Sequence, residues 1–127
     1  MPSHHFTDEK NPFTEKNPDF EKRKTESAHI ISKHSDRKPI IAYTDDEKFI
    51  DKMEKYKYLV PEDTTIAQFM TVLRKKIDLN KEEALYLYVK NGQVIIPTVN
   101  TVGGVYNEFA NEDGFLYVKF VGENTFG

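Results

Sequence analysis

The feature of this sequence that most constrains its fold is the apolar run FLYVKFV at residues 115–121. Apolar or aromatic side chains occupy every position of the run except Lys119. A short run of this kind, bounded by turn residues, is typical of a strand that is buried on both faces. The run therefore predicts a strand in the middle of a sheet, with other strands on both sides.

Shorter runs rich in β-branched and aromatic residues supply the neighbouring strands. They are KPIIAYT at 38–44, YKYLVP at 56–61 and LYLYV at 85–89. The third run is followed by KNGQ, an Asn-Gly turn signal. The next four residues, VIIP, either pair back onto this strand or lead into a loop.

The clearest helix is TTIAQFMTVLRKKIDL, which lies between the second and third of these strands. Thr65 and Gln68 have the spacing of a capping box. An apolar stripe with the helical period follows, consisting of Ile66, Phe69, Met70, Leu73 and Ile77. A shorter helix is expected at 102–109. The order helix, then β-β-α-β-α-β, predicts an α+β fold of the β-grasp, ubiquitin-like kind with an N-terminal helical extension.

The N-terminal residues 1–17 are polar, contain prolines and lack a period, so we expect a flexible arm. This segment and the next contain a partial tandem copy, EKNPF and EKNPDF. Asn-Pro is a helix start signal, with asparagine as the N-cap and proline at the first helical position. A helix can therefore start at Asn11 or at Asn17, and the longer run of helix formers favours Asn17.

The domain organisation follows from these assignments. A weakly amphipathic helix is expected at 18–34, and it needs a larger body to dock on because it would be marginal alone. We expect one ubiquitin-like domain at 18–127 that includes this helix and ends in a polar tail at 122–127.

Composition excludes several function classes. The chain has no cysteine, which rules out disulfides, thiolate metal sites and thiol nucleophiles. Its net charge of −3 gives no sign of nucleic-acid binding. No apolar run approaches the roughly 18 residues that span a bilayer, and no hydrophobic signal segment opens the chain. We therefore expect a cytoplasmic protein to which any membrane anchor is added later.

The search for chemistry predicts no enzyme, no cofactor and no metal site. The adjacent His, Ser and Asp at 34–36 point in different directions and cannot form a catalytic relay. The histidine pair at 4–5 has no third ligand beside it. The glycine pair at 103–104 lacks the lysine and the spacing of a phosphate loop.

What remains is a binding surface around YKYLVP. Lys57 and Leu59 face the same side of this strand. If the strand lies at the sheet edge, it can receive an extended peptide, to whose acidic residues Lys57 offers charge. Leu59, Ile30 and Phe115 can then line an apolar hole, or they are ordinary core. The basic residues between 22 and 38 likewise indicate either an acidic partner or a solvated helix face.

The last six residues, GENTFG, raise a separate question. Either the chain simply stops at Gly127, or the carboxylate of this glycine is itself the functional group. A terminal glycine alone does not decide between these interpretations.

Several blocks together resemble one known family. They are FEKRKTESAHI at 20–30, DRKPII at 36–41, KYLVP at 57–61, TIAQFMTVLRKKI at 65–77, NEDGFLYVKF at 111–120 and GENTFG at 122–127. The sequence is similar in these blocks to the autophagy ubiquitin-like modifiers, the family of microtubule-associated light chain three and the GABA-receptor-associated protein. The resemblance covers roughly residues 17–127.

The resemblance implies a function for the terminus. A processing cysteine protease exposes the glycine in this family, an activating enzyme adenylates it, and conjugating enzymes carry it as a thioester. The glycine is finally joined to phosphatidylethanolamine, which anchors the protein to the autophagosome membrane. Gly127 is implied as the conjugation residue and Phe126 as the residue that these enzymes grip. Because Gly127 is already last, the chain is either the processed form or encoded ready for conjugation.

The resemblance also implies that cargo receptors bind through short aromatic-x-x-aliphatic peptides, added as a strand beside the second strand. The implied aromatic pocket consists of Glu26, Ile30, Pro39, Lys57, Leu59 and Phe115. The implied aliphatic pocket consists of Tyr58, Val60, Pro61, Phe69 and Val72. Arg37 is implied to meet the acidic side of the ligand.

Some positions depart from the family pattern. His34-Ser35 stands where the family has Tyr-Pro, Thr64 replaces a leucine beside the second pocket, and Lys76 replaces an arginine. Two alternatives to a lipid-conjugated modifier remain open. One is a peptide-binding adaptor that is never lipidated, and the other is a modifier attached to protein lysines.

Overall fold

A computed structural model describes residues 9–50, 57–80 and 82–124 of the chain. Its helices and strands are named in chain order. They are α1 (Pro12–Lys16), α2 (Phe20–Lys33), β1 (Arg37–Tyr43), α3 (Glu47–Ile50), β2 (Lys57–Pro61), α4 (Ile66–Lys76), β3 (Glu83–Val89), β4 (Val94–Ile95), α5 (Val102–Phe109) and β5 (Leu116–Asn124).

The described strands form one sheet in the order β2-β1-β5-β3-β4. β1 and β5 run parallel, and the other neighbouring pairs run antiparallel. β5 therefore lies in the middle, as its apolar run predicts, and β2 lies at one edge. This arrangement confirms the α+β, β-grasp fold that the order of elements predicts.

Alternate residues of β5 and of the segment before it belong to two separate apolar clusters. Leu116 and Val118 are buried in the main core together with α4. Phe115 and Tyr117 are buried in a second cluster together with Phe13 of α1, and Ile30 of α2 packs against it. Because side chains alternate across a strand, these clusters lie on opposite faces of the sheet. The helix α4 covers one face, and α1 and α2 cover the other.

The start and the apolar stripe of α4 are those that the sequence predicts. The Gln68 N–H donates to Thr65 Oγ1 over 3.1 Å, and the Thr65 N–H donates to Gln68 Oε1 over 2.9 Å. These two bonds form the predicted capping box. Met70 of the predicted stripe is partly buried, and the other members are fully buried, namely Ile66, Phe69, Leu73 and Ile77.

The turn after β3 also follows the sequence. Lys90, Asn91 and Gly92 have φ values of 57°, 56° and 85°, as a tight hairpin turn requires. Val94 pairs with Val89, so VIIP does pair back onto β3. The short helix expected at 102–109 is α5, with Thr101 as its N-cap.

The N-terminal expectations need two corrections. Residues 9–17, the described part of the expected arm, contain the helix α1, whose Phe13 is only 4% exposed. Asn11 caps α1, whereas Asn17 is the C-cap of α1 and starts no helix. The N-cap of α2 is Asp19, whose Oδ1 accepts the N–H groups of residues 21 and 22. The burial of Phe13 against Phe115 stabilises the helix that begins after Asn11.

Candidate functional site

The strand β2 offers one free side in the described sheet. It pairs with β1 from Arg37↔Pro61 to Ile41↔Lys57, and no described strand lies on its other side. An extended peptide can add to a strand edge through backbone hydrogen bonds. The structure therefore meets the condition that the sequence left open, an edge position of β2, which makes its surroundings the candidate site.

A cavity of about 290 Å³, here called the first cavity, lies between α2 and β2. Ile30, Leu59 and Phe115, which the sequence groups around one apolar hole, all line it. Pro39 and Lys57, two more residues of the predicted aromatic pocket, line it as well. The fold therefore brings together residues that are up to 85 positions apart, Ile30 and Phe115.

Phe115 is both a core residue and part of the cavity wall. It is 1% exposed, and its ring packs edge to face against Phe13 with 5.4 Å between the centroids. The two interpretations of this residue from the sequence are therefore compatible. Through the contact between Phe13 and Phe115, the N-terminal helix α1 packs against the wall of the first cavity.

Lys57 is held by two groups at the mouth of the first cavity. Its ammonium forms an ion pair with the carboxylate of Glu26 on α2, and it lies 5.3 Å above the ring of Phe13. Glu26 does not line the first cavity and acts on it through Lys57. An acidic ligand group that binds Lys57 must therefore share this cation with Glu26.

A second cavity, of about 410 Å³, lies on the α4 side of β2. It is lined by Lys57, Tyr58, Leu59, Val60, Pro61, Thr64, Phe69 and Val72. All members of the predicted aliphatic pocket are in this set, which also contains Thr64. Lys57, Tyr58 and Leu59 line both cavities, so the two adjoin along the edge strand.

The sequence missed several residues of the first cavity. They are His29 and Lys33 in the last turns of α2, and His34, the C-cap of this helix. Lys33 and His34 follow Ile30 by three and four positions, the spacing of neighbours on one helix face. That spacing is the signal that would have found them. Arg37, the predicted contact for an acidic ligand, is exposed at the start of β1 and lines neither cavity.

A buried polar cluster holds α2 in the position that forms the cavity wall. Arg23 Nε donates to Asp113 Oδ2 over 2.8 Å, and the Tyr117 hydroxyl donates to the same oxygen over 2.5 Å. The Ser27 hydroxyl donates to the Asp113 carbonyl over 2.5 Å. Burial works to lower the pKa of Arg23, but the hydrogen bonds and charges of Asp113 and Tyr117 together outweigh burial, so the pKa is raised. Burial, reinforced by Asp113, raises the pKa of Tyr117.

The predicted conjugation residues Phe126 and Gly127 lie outside the described residues. The central strand β5 runs to Asn124, which pairs with Glu83 of β3. Three residues therefore follow the last described one.

Among residues 9–50, 57–80 and 82–124, no group of three or more His, Cys, Asp or Glu side chains is placed to hold a metal ion. In the same part of the chain, no helix combines the length and the apolar composition that crossing a bilayer requires.

Comparison with known proteins gives evidence that is independent of the site geometry. A family model described as "Autophagy protein Atg8 ubiquitin like" matches residues 22–127. The chain is 46% identical over 108 residues to autophagy-related protein 8A of Oryza sativa subsp. indica, covering 85% of this chain and 89% of that relative.

Two solved structures are also similar. The crystal structure of Trypanosoma brucei ATG8 matches with a TM-score of 0.75 and 38% identity, covering 86% of this chain and 92% of that one. Plasmodium falciparum Atg8 in complex with a Plasmodium falciparum Atg3 peptide matches with a TM-score of 0.70 and 28% identity, covering 80% and 89%.

Proposed function

Because the chain belongs to the Atg8 family of autophagy ubiquitin-like proteins, we propose that Gly127 is conjugated to phosphatidylethanolamine in autophagosome formation. The observation that carries this proposal is that the family match extends through residue 127 and so includes the terminal Phe-Gly. On this proposal the protein is cytoplasmic until lipidation and lies on the autophagosome membrane afterwards. Two acyl chains suffice for stable anchoring, where one would be marginal.

The chemistry uses the terminal carboxylate as the reacting group. An activating enzyme transfers AMP from ATP to the Gly127 carboxylate and releases pyrophosphate. An enzyme thiol then displaces AMP to form the thioester that the conjugating enzyme carries, and the lipid amine displaces this thiol to form an amide. Glycine suits this sequence of transfers because, without a side chain, its backbone fits narrow enzyme clefts in unusual conformations. Phe126 gives those enzymes and the processing protease an aromatic group to bind.

The second part of the proposal is recruitment of cargo receptors through the β2 edge. An extended aromatic-x-x-aliphatic peptide adds beside β2 and places one anchor in each of the two adjoining cavities. The two cavities adjoin along the β2 edge, and this arrangement supports a peptide that fills both. The similar Plasmodium protein, which is in complex with an Atg3 peptide, supports short peptides of the conjugation machinery as further ligands.

The test of conjugation is reconstitution with activating enzyme, conjugating enzyme and phosphatidylethanolamine vesicles, read by mass spectrometry. We expect the wild-type chain to gain the mass of the lipid and Gly127→Ala to gain none, because the added methyl group obstructs the clefts. Circular dichroism of both proteins is the control for folding. Normal lipidation of Gly127→Ala would contradict the mechanism, and a conjugate on protein lysines would favour the lysine-attached alternative.

A further inference from the structure

Gly122, near the end of the central strand β5, has no room for a side chain. A Cβ built on it would lie 2.7 and 2.8 Å from two ring carbons of Phe49 in α3, and 3.4 Å from a methyl carbon of Leu79. The φ of Gly122 lies outside the left-handed region, so its backbone conformation does not require glycine. The close approach of Phe49 therefore explains why a glycine stands in this strand.

The main core fixes Phe49 in this position. Phe49 is 2% exposed, and its ring packs against that of Phe120 with 6.1 Å between the centroids. Phe120 precedes Gly122 by two positions, so both residues face the same side of β5. The ring of Phe49 thus takes the place that a side chain at position 122 would occupy. It cannot move away without leaving a void in a close-packed core.

The last residues of β5 have fewer neighbours in the sheet than the first ones. Pairing with β1 ends at Tyr43↔Lys119, whereas pairing with β3 continues to Glu83↔Asn124. Among the described residues, the end of β5 therefore has a strand on one side only. The ring that sits on its core face is a further restraint on this part of the strand.

The end of β5 leads directly into the segment that carries Gly127. Residues 122–124, here called the tail root, are the last three residues of the strand. An enzyme that binds a free segment must order it, and each ordered residue costs binding free energy. A tail root that the sheet already holds avoids this cost and gives the terminal carboxylate a fixed starting point.

We propose that Phe49 is a positioning residue for conjugation. Its ring, seated on Gly122, holds the tail root against β3, so the activating and conjugating enzymes meet this part of their substrate already ordered. Phe49 takes no part in the chemistry and acts through Gly122. This inference rests on the proposed function, since it requires Gly127 to be the conjugated residue.

The test measures formation of the thioester on the activating enzyme with ATP and varied concentrations of the full chain, which gives kcat and KM separately. We expect Phe49→Ala to raise KM about tenfold, because the tail root must then be ordered on binding. The kcat should stay within about twofold, because the reacting carboxylate is unchanged. Hydrogen exchange at the amides of residues 122–124 should rise in the same variant.

Ile66→Ala is the matched control for loss of stability. Ile66 is 1% exposed in the same core cluster and begins α4. Removing its side chain destabilises the core in the same way as Phe49→Ala but leaves the contact at Gly122 in place. We expect a KM within about twofold of the wild-type value, with urea denaturation giving the stability of both variants.

A second variant tests the same contact from the side of the strand. Gly122→Ala places a methyl group against the ring of Phe49, so it should raise KM about threefold. The double variant Gly122→Ala/Phe49→Leu exchanges the ring for a smaller side chain and should bring KM back to within about twofold of wild type. Loss of stability alone would not produce this rescue, because two independent losses add.

The outcomes separate this inference from the function on which it rests. If the wild-type chain forms the thioester and Phe49→Ala forms it with an unchanged or lower KM, the inference is overturned and conjugation stands. An equal rise of KM in Ile66→Ala, or no rescue in the double variant, overturns it as well. If the wild-type chain forms no thioester, the proposed conjugation is overturned together with the inference.

Discussion

At the scale of single residues, Asp113 connects α2 to the sheet by accepting hydrogen bonds on both oxygens of its carboxylate. A neutral amide has only one such oxygen and cannot accept all of these bonds. Its Oδ2 accepts from Arg23 and Tyr117, and its Oδ1 accepts the Phe115 N–H over 2.9 Å. The side chains of Arg23 and Asp113 are 7% and 0% exposed. Removing one partner of a buried pair leaves an uncompensated charge, which costs far more than the pair itself contributes.

We therefore expect Asp113→Asn to lower the free energy of unfolding by about 3 kcal/mol, measured by urea denaturation. The amide keeps the size of the carboxylate but leaves the Arg23 guanidinium without a counter-charge. Asp63→Asn, at an exposed position, is the matched control and should change stability by less than about 0.5 kcal/mol. Equal stabilities of the two variants would contradict the role given to Asp113.

At the scale of elements, α1 shows how a short helix becomes stable through its contacts. Five residues are too few for a stable isolated helix. The capping box of Asn11 and Thr14 satisfies its first turn, and Phe13 buries its ring between Phe115 and Tyr117. Since Phe115 lines the first cavity, the docking of α1 and the shape of this cavity are linked.

Phe13→Ala should release α1 and lower the free energy of unfolding by about 3 kcal/mol, because it removes a buried ring. Hydrogen exchange at the backbone amides of residues 14–17 is expected to rise. Glu15→Ala on the same helix, at an exposed position, serves as the control and should leave exchange nearly unchanged. If the α1 amides stay protected in Phe13→Ala, Phe13 is not what holds the helix.

The elements also show what a sequence can and cannot predict here. α4, β2 and β5 were predicted because each carries its own pattern. These patterns are a capping box with a 3.6-residue stripe in α4, a run of β-branched and aromatic residues in β2, and a continuous apolar run in β5. α1 was missed because the longer run of helix formers after Asn17 favoured a start there, and no local signal shows that Phe13 is buried. The grouping of Ile30, Leu59 and Phe115 was predictable once the fold was known, whereas the Glu26–Lys57 ion pair depends on how α2 lies across the sheet.

At the scale of the whole molecule, the described tyrosines with raised pKa values make folding sensitive to alkaline pH. Burial is the largest cause in each case, and the group consists of Tyr43, Tyr58, Tyr106 and Tyr117. An unfolded tyrosine loses its proton near pH 10, whereas these retain it in the folded chain. Above about pH 10 the folded state therefore binds more protons than the unfolded state, so stability falls as pH rises.

Tyr43 allows this dependence to be measured at one site. Tyr43 is 6% exposed, and Glu9 and Asp45 add to the effect of burial on its pKa. Each such tyrosine steepens the loss of stability by up to about 1.4 kcal/mol per pH unit above pH 10. In urea unfolding at pH 9, 10 and 11, Tyr43→Phe should therefore lose less stability per pH unit than the wild-type chain. Identical slopes for the two proteins would mean that Tyr43 ionises as readily in the folded chain as in the unfolded one.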